Sequence, residues 1–187
     1  ESIEATILFS DIRNFTPMSS RLPAKEVVEF LNAYFSQILG PITEHRGVVN
    51  KFIGDAVMAI FAPQFGSVNH VDDAVNAALG MRDRLAEFNK DRPLPEEVRF
   101  GVGLHTGVLV AGNIGTESRL EYTVIGDTVN IAARIESTTK TLDSTILVSE
   151  DVHGKMSPDL RARLTLERCA DVRLKGKEHP LTLFKIA

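Results

Sequence analysis

The chain has 187 residues, 43% hydrophobic and 25% charged, an ordinary globular composition large enough to bury a core. A net charge of −4 supplies no global basic field for nucleic acid or an anionic membrane, so an anionic substrate must be held by local groups and metal. The single cysteine, Cys169, excludes an intramolecular disulfide or a cysteine-rich metal site and fits a reducing compartment.

In chain order, residues 4–11 predict a strand apolar on both faces, as in the middle of a sheet, closing on Asp11. Asn14 to Ser20 reads as a short helical or irregular link, and the N–H groups from Ile12 through Phe15 and Thr16 are placed to cradle phosphate oxygens. Pro23 suits the first turn of a long helix whose stripe runs Val27, Leu31, Tyr34/Phe35, Ile38 and Ile42. Residues 48–61 predict a hairpin of two core-like strands turning at Gly54-Asp55. Two carboxylates at strand ends, Asp11 and Asp55, suit a hard divalent cation. Taken singly, each aspartate is explained as well by a helix cap or a turn.

Downstream, His70 to Asn89 forms a second helix, and Pro93 and Pro95 separate it from the next strand. Val98–Thr106 and Val108–Ile114 predict a strand pair joined at Thr106-Gly107. Leu120–Ile125 follows as a short strand, then a helix over Gly126–Glu136, a strand at Thr145–Ser149, and tail strands from Leu164 to Ile186 broken at Lys175-Gly-Lys177. The order gives an α+β fold: a ferredoxin-like βαββαβ core with a mainly antiparallel sheet, helices on one face, and strand and helix additions at the C-terminal end. No repeat or linker divides the chain, so residues 1–187 read as a single domain. Starting at Glu1 and entering a strand almost at once, it reads as a cytoplasmic domain excised from a longer protein, without membrane contact of its own. Whether that longer protein carries a membrane anchor stays open.

No Walker-type phosphate loop is present, and Gly101, Gly103 and Gly107 lie in a strand and its turn rather than opening a helix, so backbone relief inside a sheet explains them better than a dinucleotide fingerprint. Asn130 and Arg134 are four apart, so one helix face presents an amide and a guanidinium suited to a ribose oxygen and a phosphoryl group. Alone, that pair is also an ordinary solvated helix face. Lys51 sits in an apolar run, and Lys175 suits a mobile cation over a triphosphate or a plain turn. The histidines show no metal-ligand spacing.

Phe9-Ser-Asp-Ile-Arg-Asn-Phe-Thr16, Lys51-Phe-Ile-Gly-Asp-Ala-Val-Met-Ala59, Gly103-Leu-His-Thr-Gly107 and Tyr122-Thr-Val-Ile-Gly-Asp-Thr-Val-Asn-Ile-Ala-Ala-Arg134 together resemble the catalytic domain of class III nucleotidyl cyclases. The resemblance implies an adenylyl cyclase that converts ATP to 3′,5′-cyclic AMP and pyrophosphate. It implies two Mg²⁺ or Mn²⁺ ions held by Asp11, Asp55 and the Ile12 carbonyl. Lys51 and Thr123 would read the purine, Asn130 would orient the ribose, Arg134 would stabilise the transition state, and Lys175, with Arg119, would contact the triphosphate. It also implies a head-to-tail homodimer, one subunit giving Asp11 and Asp55 and the other Lys51, Thr123, Asn130, Arg134 and Lys175. Many adenylyl cyclases carry Asp where this chain has Thr123; the lysine–threonine pair resembles the bicarbonate-responsive soluble subgroup, making bicarbonate regulation an expectation. The rivals are a guanylyl cyclase, a diguanylate cyclase or polymerase palm, and a non-catalytic regulatory domain on the same fold. The Gly-Gly-Asp-Glu-Phe signature of diguanylate cyclases is absent, and a degenerate domain should lose an aspartate or the Asn/Arg pair that this chain keeps.

Overall fold

The computed structural model describes residues 1–92 and 96–187; the break expected at Pro93 and Pro95 lies outside the described residues. Strand β1 (Ser2–Ile12) is buried along both faces and lies in the sheet interior, flanked by β3 (Ala56–Phe61) and β4 (Phe100–Thr116), both antiparallel to it. Strand β2 (Val48–Ile53) hairpins onto β3 through Gly54, whose φ of 62° suits a glycine turn. Beyond β4 come β6 (Ile146–Ser149), β8 (Leu181–Ile186) and β7 (Leu166–Val172), giving the order β2-β3-β1-β4-β6-β8-β7. Strand β5 (Arg119–Ile125) pairs with the far half of β4, and among the described residues only the β4–β6 pairing is parallel.

The βαββαβ core is present as expected. Helices α2 (Ala24–Ile38) and α4 (His70–Asp91) cover one sheet face, where Tyr34, Ile38, Met81 and Phe88 meet Leu8, Ala59, Phe61, Val102 and Leu104. Among the C-terminal additions, helix α5 (Asp127–Thr138) takes the opposite face, where Ala132 joins Ile3, Ala5, Ile7, Met58, Ile60 and Leu109.

Three local expectations need correction, and two short helices were not expected. The long helix stops at Ile38 and restarts as α3 (Gly40–Glu44) with Pro41 in its first turn; a proline within a continuous helix would lose a hydrogen bond and clash with the preceding turn. Strand β2 is largely exposed rather than core-like, because it forms the sheet edge. There is no turn at Thr106-Gly107. Strand β4 runs straight through it, with Thr106 opposite Thr6 and Gly107 opposite Ala5. Gly107 instead makes room for α5, since a β-carbon there would stand 2.8 Å from Thr128 Oγ1. The actual turn lies between Thr116 and Arg119, where β4 folds back into β5. Finally, α6 (Glu150–Lys155) and α7 (Pro158–Arg163) escaped the reading of periodicity, being too short for it. Their caps were legible: Ser149 accepts from Val152 N–H and Ser157 from Leu160 N–H, with Pro158 opening α7.

Candidate active site

The antiparallel β1–β3 register pairs Ser10 with Val57 and so brings the end of β1 beside the β2–β3 turn. Asp11 and Asp55 converge there, and the backbone N–H of Ile12 donates to Asp55 Oδ2 at 3.0 Å. Asn14, in the left-handed region at φ 56°, swings the chain into helix α1 (Phe15–Ser19). Asp11, Ile12, Asn14, Phe15, Thr16, Pro17, Asp55 and Lys140 thus line a cleft of about 240 Å³. Another cleft, of about 370 Å³ between α4 and the start of β4, has Glu97 as the only carboxylate among its described lining residues.

Burial, reinforced by the facing Asp55 and Glu136 carboxylates, pushes the Asp11 carboxyl up to about 8. Glu136, which reaches Asp11 from α5, is pushed up to about 7, chiefly by burial, while Lys140 and Arg13 oppose the rise. Hard oxygen donors under mutual repulsion are a donor set that a divalent cation would relieve. Among the described residues no three His, Cys, Asp or Glu side chains group closely enough to enclose an ion unaided. The remaining ligands would have to be substrate oxygens and water.

The other residues singled out in the sequence lie elsewhere. Lys51 is exposed on β2, and Thr123 is half-buried on β5 opposite Gly112. Asn130 is exposed on α5; Arg134, one turn on, lies against the loop that follows β7, where a β-carbon on Gly176 would stand 3.2 Å from its Nη2. Lys175, next to that glycine, is exposed, and Arg119 is exposed at the β5 start and pairs with Glu121 at 3.2 Å. None of these six lines the Asp11–Asp55 cleft. One copy of the chain therefore separates the candidates into an acidic group and a basic and amide group. This division follows from the helix period, because Glu136 and Arg134 are two residues apart and face opposite ways.

A family model for the adenylate and guanylate cyclase catalytic domain matches residues 1–186. The chain belongs to that family. It is 36% identical to an adenylate cyclase of Anabaena cylindrica over 97% of its length. It is similar in structure to the adenylyl cyclase CyaB of P. aeruginosa (TM-score 0.86, 26% identity, 100% of this chain and 95% of that one). It is equally similar to the guanylyl cyclase Cya2 (TM-score 0.87, 31% identity, 100% of this chain and 93% of that one). The chain spans only 36% of the Anabaena cyclase, and a comparable share of other curated relatives. Among the described residues no helix is long and apolar enough to cross a membrane.

Sequence reading missed Lys140, which lines this cyclase domain's acidic cleft, and Glu136, which is buried behind it on α5. The signal for Glu136 was its place on α5: it follows Ala132 and Ile135 on the core-facing side, where a charged residue is rarely buried without a reason.

The acidic cleft makes a stability prediction. Native Asp11 keeps its proton up to about pH 8, whereas in the unfolded chain it is lost near 3.8. Between those values the native state binds the extra proton, so the contribution of Asp11 to stability falls as pH rises from about 4 to 8. Asp11→Asn should stabilise the metal-free domain at pH 8 by about 1–2 kcal/mol, after discounting for the half-exposed setting, and have little effect at pH 4. Thermal melts in EDTA at both pH values check this; an Asn variant less stable than wild type at pH 8 contradicts it.

Proposed function

We propose that this domain is an adenylyl cyclase, forming 3′,5′-cyclic AMP and pyrophosphate at sites shared between two copies in a head-to-tail homodimer. The observation that supports this best is the separation just described. Asp11 and Asp55 converge in one cleft, while Asn130 and Arg134 occupy the far side of α5, out of its reach. A second copy presenting its own Asn130 and Arg134 would complete the site. The β4–β5 hairpin supplies a surface for such a copy: Val108, Val110, Leu120, Tyr122 and Ile125 are at least half exposed there.

In the reaction the ribose 3′-oxygen bonds to the α-phosphorus, the bond to the bridging oxygen of the β-phosphate breaks, and the hydroxyl proton leaves with solvent or pyrophosphate. Asp11, Asp55 and the Ile12 carbonyl would hold two divalent ions, Mg²⁺ or Mn²⁺. When bound, these lower the pKa of the attacking hydroxyl and offset charge on the leaving group. Asn130 from the partner copy orients the ribose, and Arg134 donates to the phosphoryl oxygens as charge develops. Lys175, with Arg119, adds positive charge over the triphosphate, and the turn carrying Phe15 and Thr16 offers backbone N–H groups to its oxygens. No side chain need act as general base.

Base choice rests on Lys51 and Thr123. Lysine donates to adenine N1, and the threonine hydroxyl accepts from the exocyclic amine. Guanine presents the reverse pattern, leaving polar groups unpaired at about 1–3 kcal/mol each. The rival reading is a guanylyl cyclase, favoured by the likeness to Cya2. Incubation with ATP or GTP and Mn²⁺, with products identified by mass, decides between them. Cyclic AMP should dominate, and Lys51→Glu with Thr123→Cys should shift preference towards GTP. Equal wild-type kcat/KM for the two nucleotides contradicts the base-reading roles, and no cyclic product from either contradicts the enzyme reading. Bicarbonate added to the same assay tests the regulation that the lysine–threonine pair suggests.

A further inference from the structure

Helix α5 carries polar chemistry on two faces. Asn130 and Arg134 lie on the side away from the sheet, whereas Glu136 is turned by about 200° from Arg134 and packs inward. Only 8% of Glu136 is exposed. The helix presses hard enough on the sheet that a β-carbon at position 103 would stand 2.3 Å from the Glu136 backbone nitrogen. Gly103 pairs with Phe9 and Gly101 with Asp11, so this contact sets Glu136 beside the end of β1. Phe9 packs on the α5 side of the sheet and Asp11, two residues on, faces the same way, so the Glu136 side chain lies beside the Asp11 carboxyl. The joint is pinned from the other side by Arg13, whose Nη2 donates to the carbonyls of Thr139 and Ser144 just beyond α5.

Placing a carboxylate in this position is costly, because it is buried and faces another carboxylate. Hydrophobic packing of α5 does not need it, since Ala132 and Ile135 already supply the apolar contacts. Nor does it join Asp11 and Asp55 as a third member of an ion cage. It stands behind Asp11, in the place from which an outer group orients a ligand.

We propose that Glu136 is a positioning residue of the metal half-site, holding the Asp11 carboxylate from behind and so setting the metal affinity of its own chain. The effect is directed to Asp11 and not to Arg134, although Arg134 is nearer in sequence. The inference rests on the reading of Asp11 and Asp55 as metal ligands.

The test titrates the metal-free domain with Mn²⁺ alone, following free Mn²⁺ by electron paramagnetic resonance, with circular dichroism to confirm folding. Glu136→Ala should weaken binding by about 10–100-fold, the usual effect of losing an outer partner of a ligand. Glu136→Asp, one methylene short of Asp11, should behave like the alanine variant. Glu136→Gln can still donate from its amide to Asp11 and should stay within about threefold of wild type. If the alanine variant fails to fold, the Asp and Gln variants carry the comparison. Wild-type affinity in folded Glu136→Ala or Glu136→Asp overturns the proposal. Absence of Mn²⁺ binding by the wild type removes the ligand reading itself, and the proposal with it.

Mixed dimers locate the lesion. If Glu136 acts through Asp11, Glu136→Ala mixed with Asn130→Ala places both defects in one site and regains activity, while Glu136→Ala mixed with Asp11→Ala stays inactive. The reverse pattern, rescue by Asp11→Ala only, would assign Glu136 to the Arg134 half and overturn the proposal.

Discussion

Asp11→Ala or Asp55→Ala is expected to lower nucleotide turnover by about 10³-fold or more, since loss of a bound ion removes several kcal/mol of transition-state stabilisation. Both side chains line one cleft, and Asp55 is tethered by the Ile12 N–H. Neither supports the hydrophobic core, so the variants should fold, and the metal-free Asp11 variant should gain stability at neutral pH because the native state no longer has to take up the proton that buried Asp11 holds. Rates measured at saturating Mn²⁺ separate weak binding from loss of the site. Near-wild-type turnover in either variant would remove the metal-ligand assignment.

Arg134→Ala should lower kcat by about 10²–10³-fold with little change in KM, because a donor aimed at developing charge acts on the transition state more than on the bound nucleotide. Arg134→Lys should recover little of the loss, since lysine keeps the charge but not the planar pair of donors. Arg134 is half-buried beside the Lys175–Lys177 turn, so its placement depends on that loop, where Lys177 pairs with Asp127 at the start of α5. Steady-state kinetics of both variants check the assignment. A raised KM with unchanged kcat would instead make Arg134 a ground-state triphosphate contact.

The features legible in the sequence were those fixed within a few residues. The Gly54-Asp55 turn, the strand closing on Asp11, the four-residue spacing of Asn130 and Arg134, and the amphipathic stripe of α4 each carry a local signature. What escaped was set by distant partners. Gly107 resembled a turn residue because nothing nearby in sequence shows that α5 will lie across it. Residues 48–53 resembled core because apolar content does not reveal that β2 is an edge strand. Glu136 entered only as the end of the helix beginning at Gly126, and only the packing of α5 on β4 reveals that it sits behind Asp11. The division of the site into two groups was stated in advance only through the family resemblance. The single chain supports it by keeping Asn130 and Arg134 out of the acidic cleft.

The central claim is that each site takes its metal ligands from one copy and Asn130 with Arg134 from the other, and mixing inactive mutants tests it most directly. Asp11→Ala homodimers lack metal ligands in both sites, and Asn130→Ala homodimers lack the ribose anchor in both. In a heterodimer the two lesions fall in one site and leave the other complete. With equal mixing and free subunit exchange, about half the dimers are mixed, each with one good site of two, so activity should return to about a quarter of wild type. That activity should also decline on dilution as dimers dissociate. If exchange is verified by differently tagged subunits and no cyclic nucleotide forms, the site is not shared in this way.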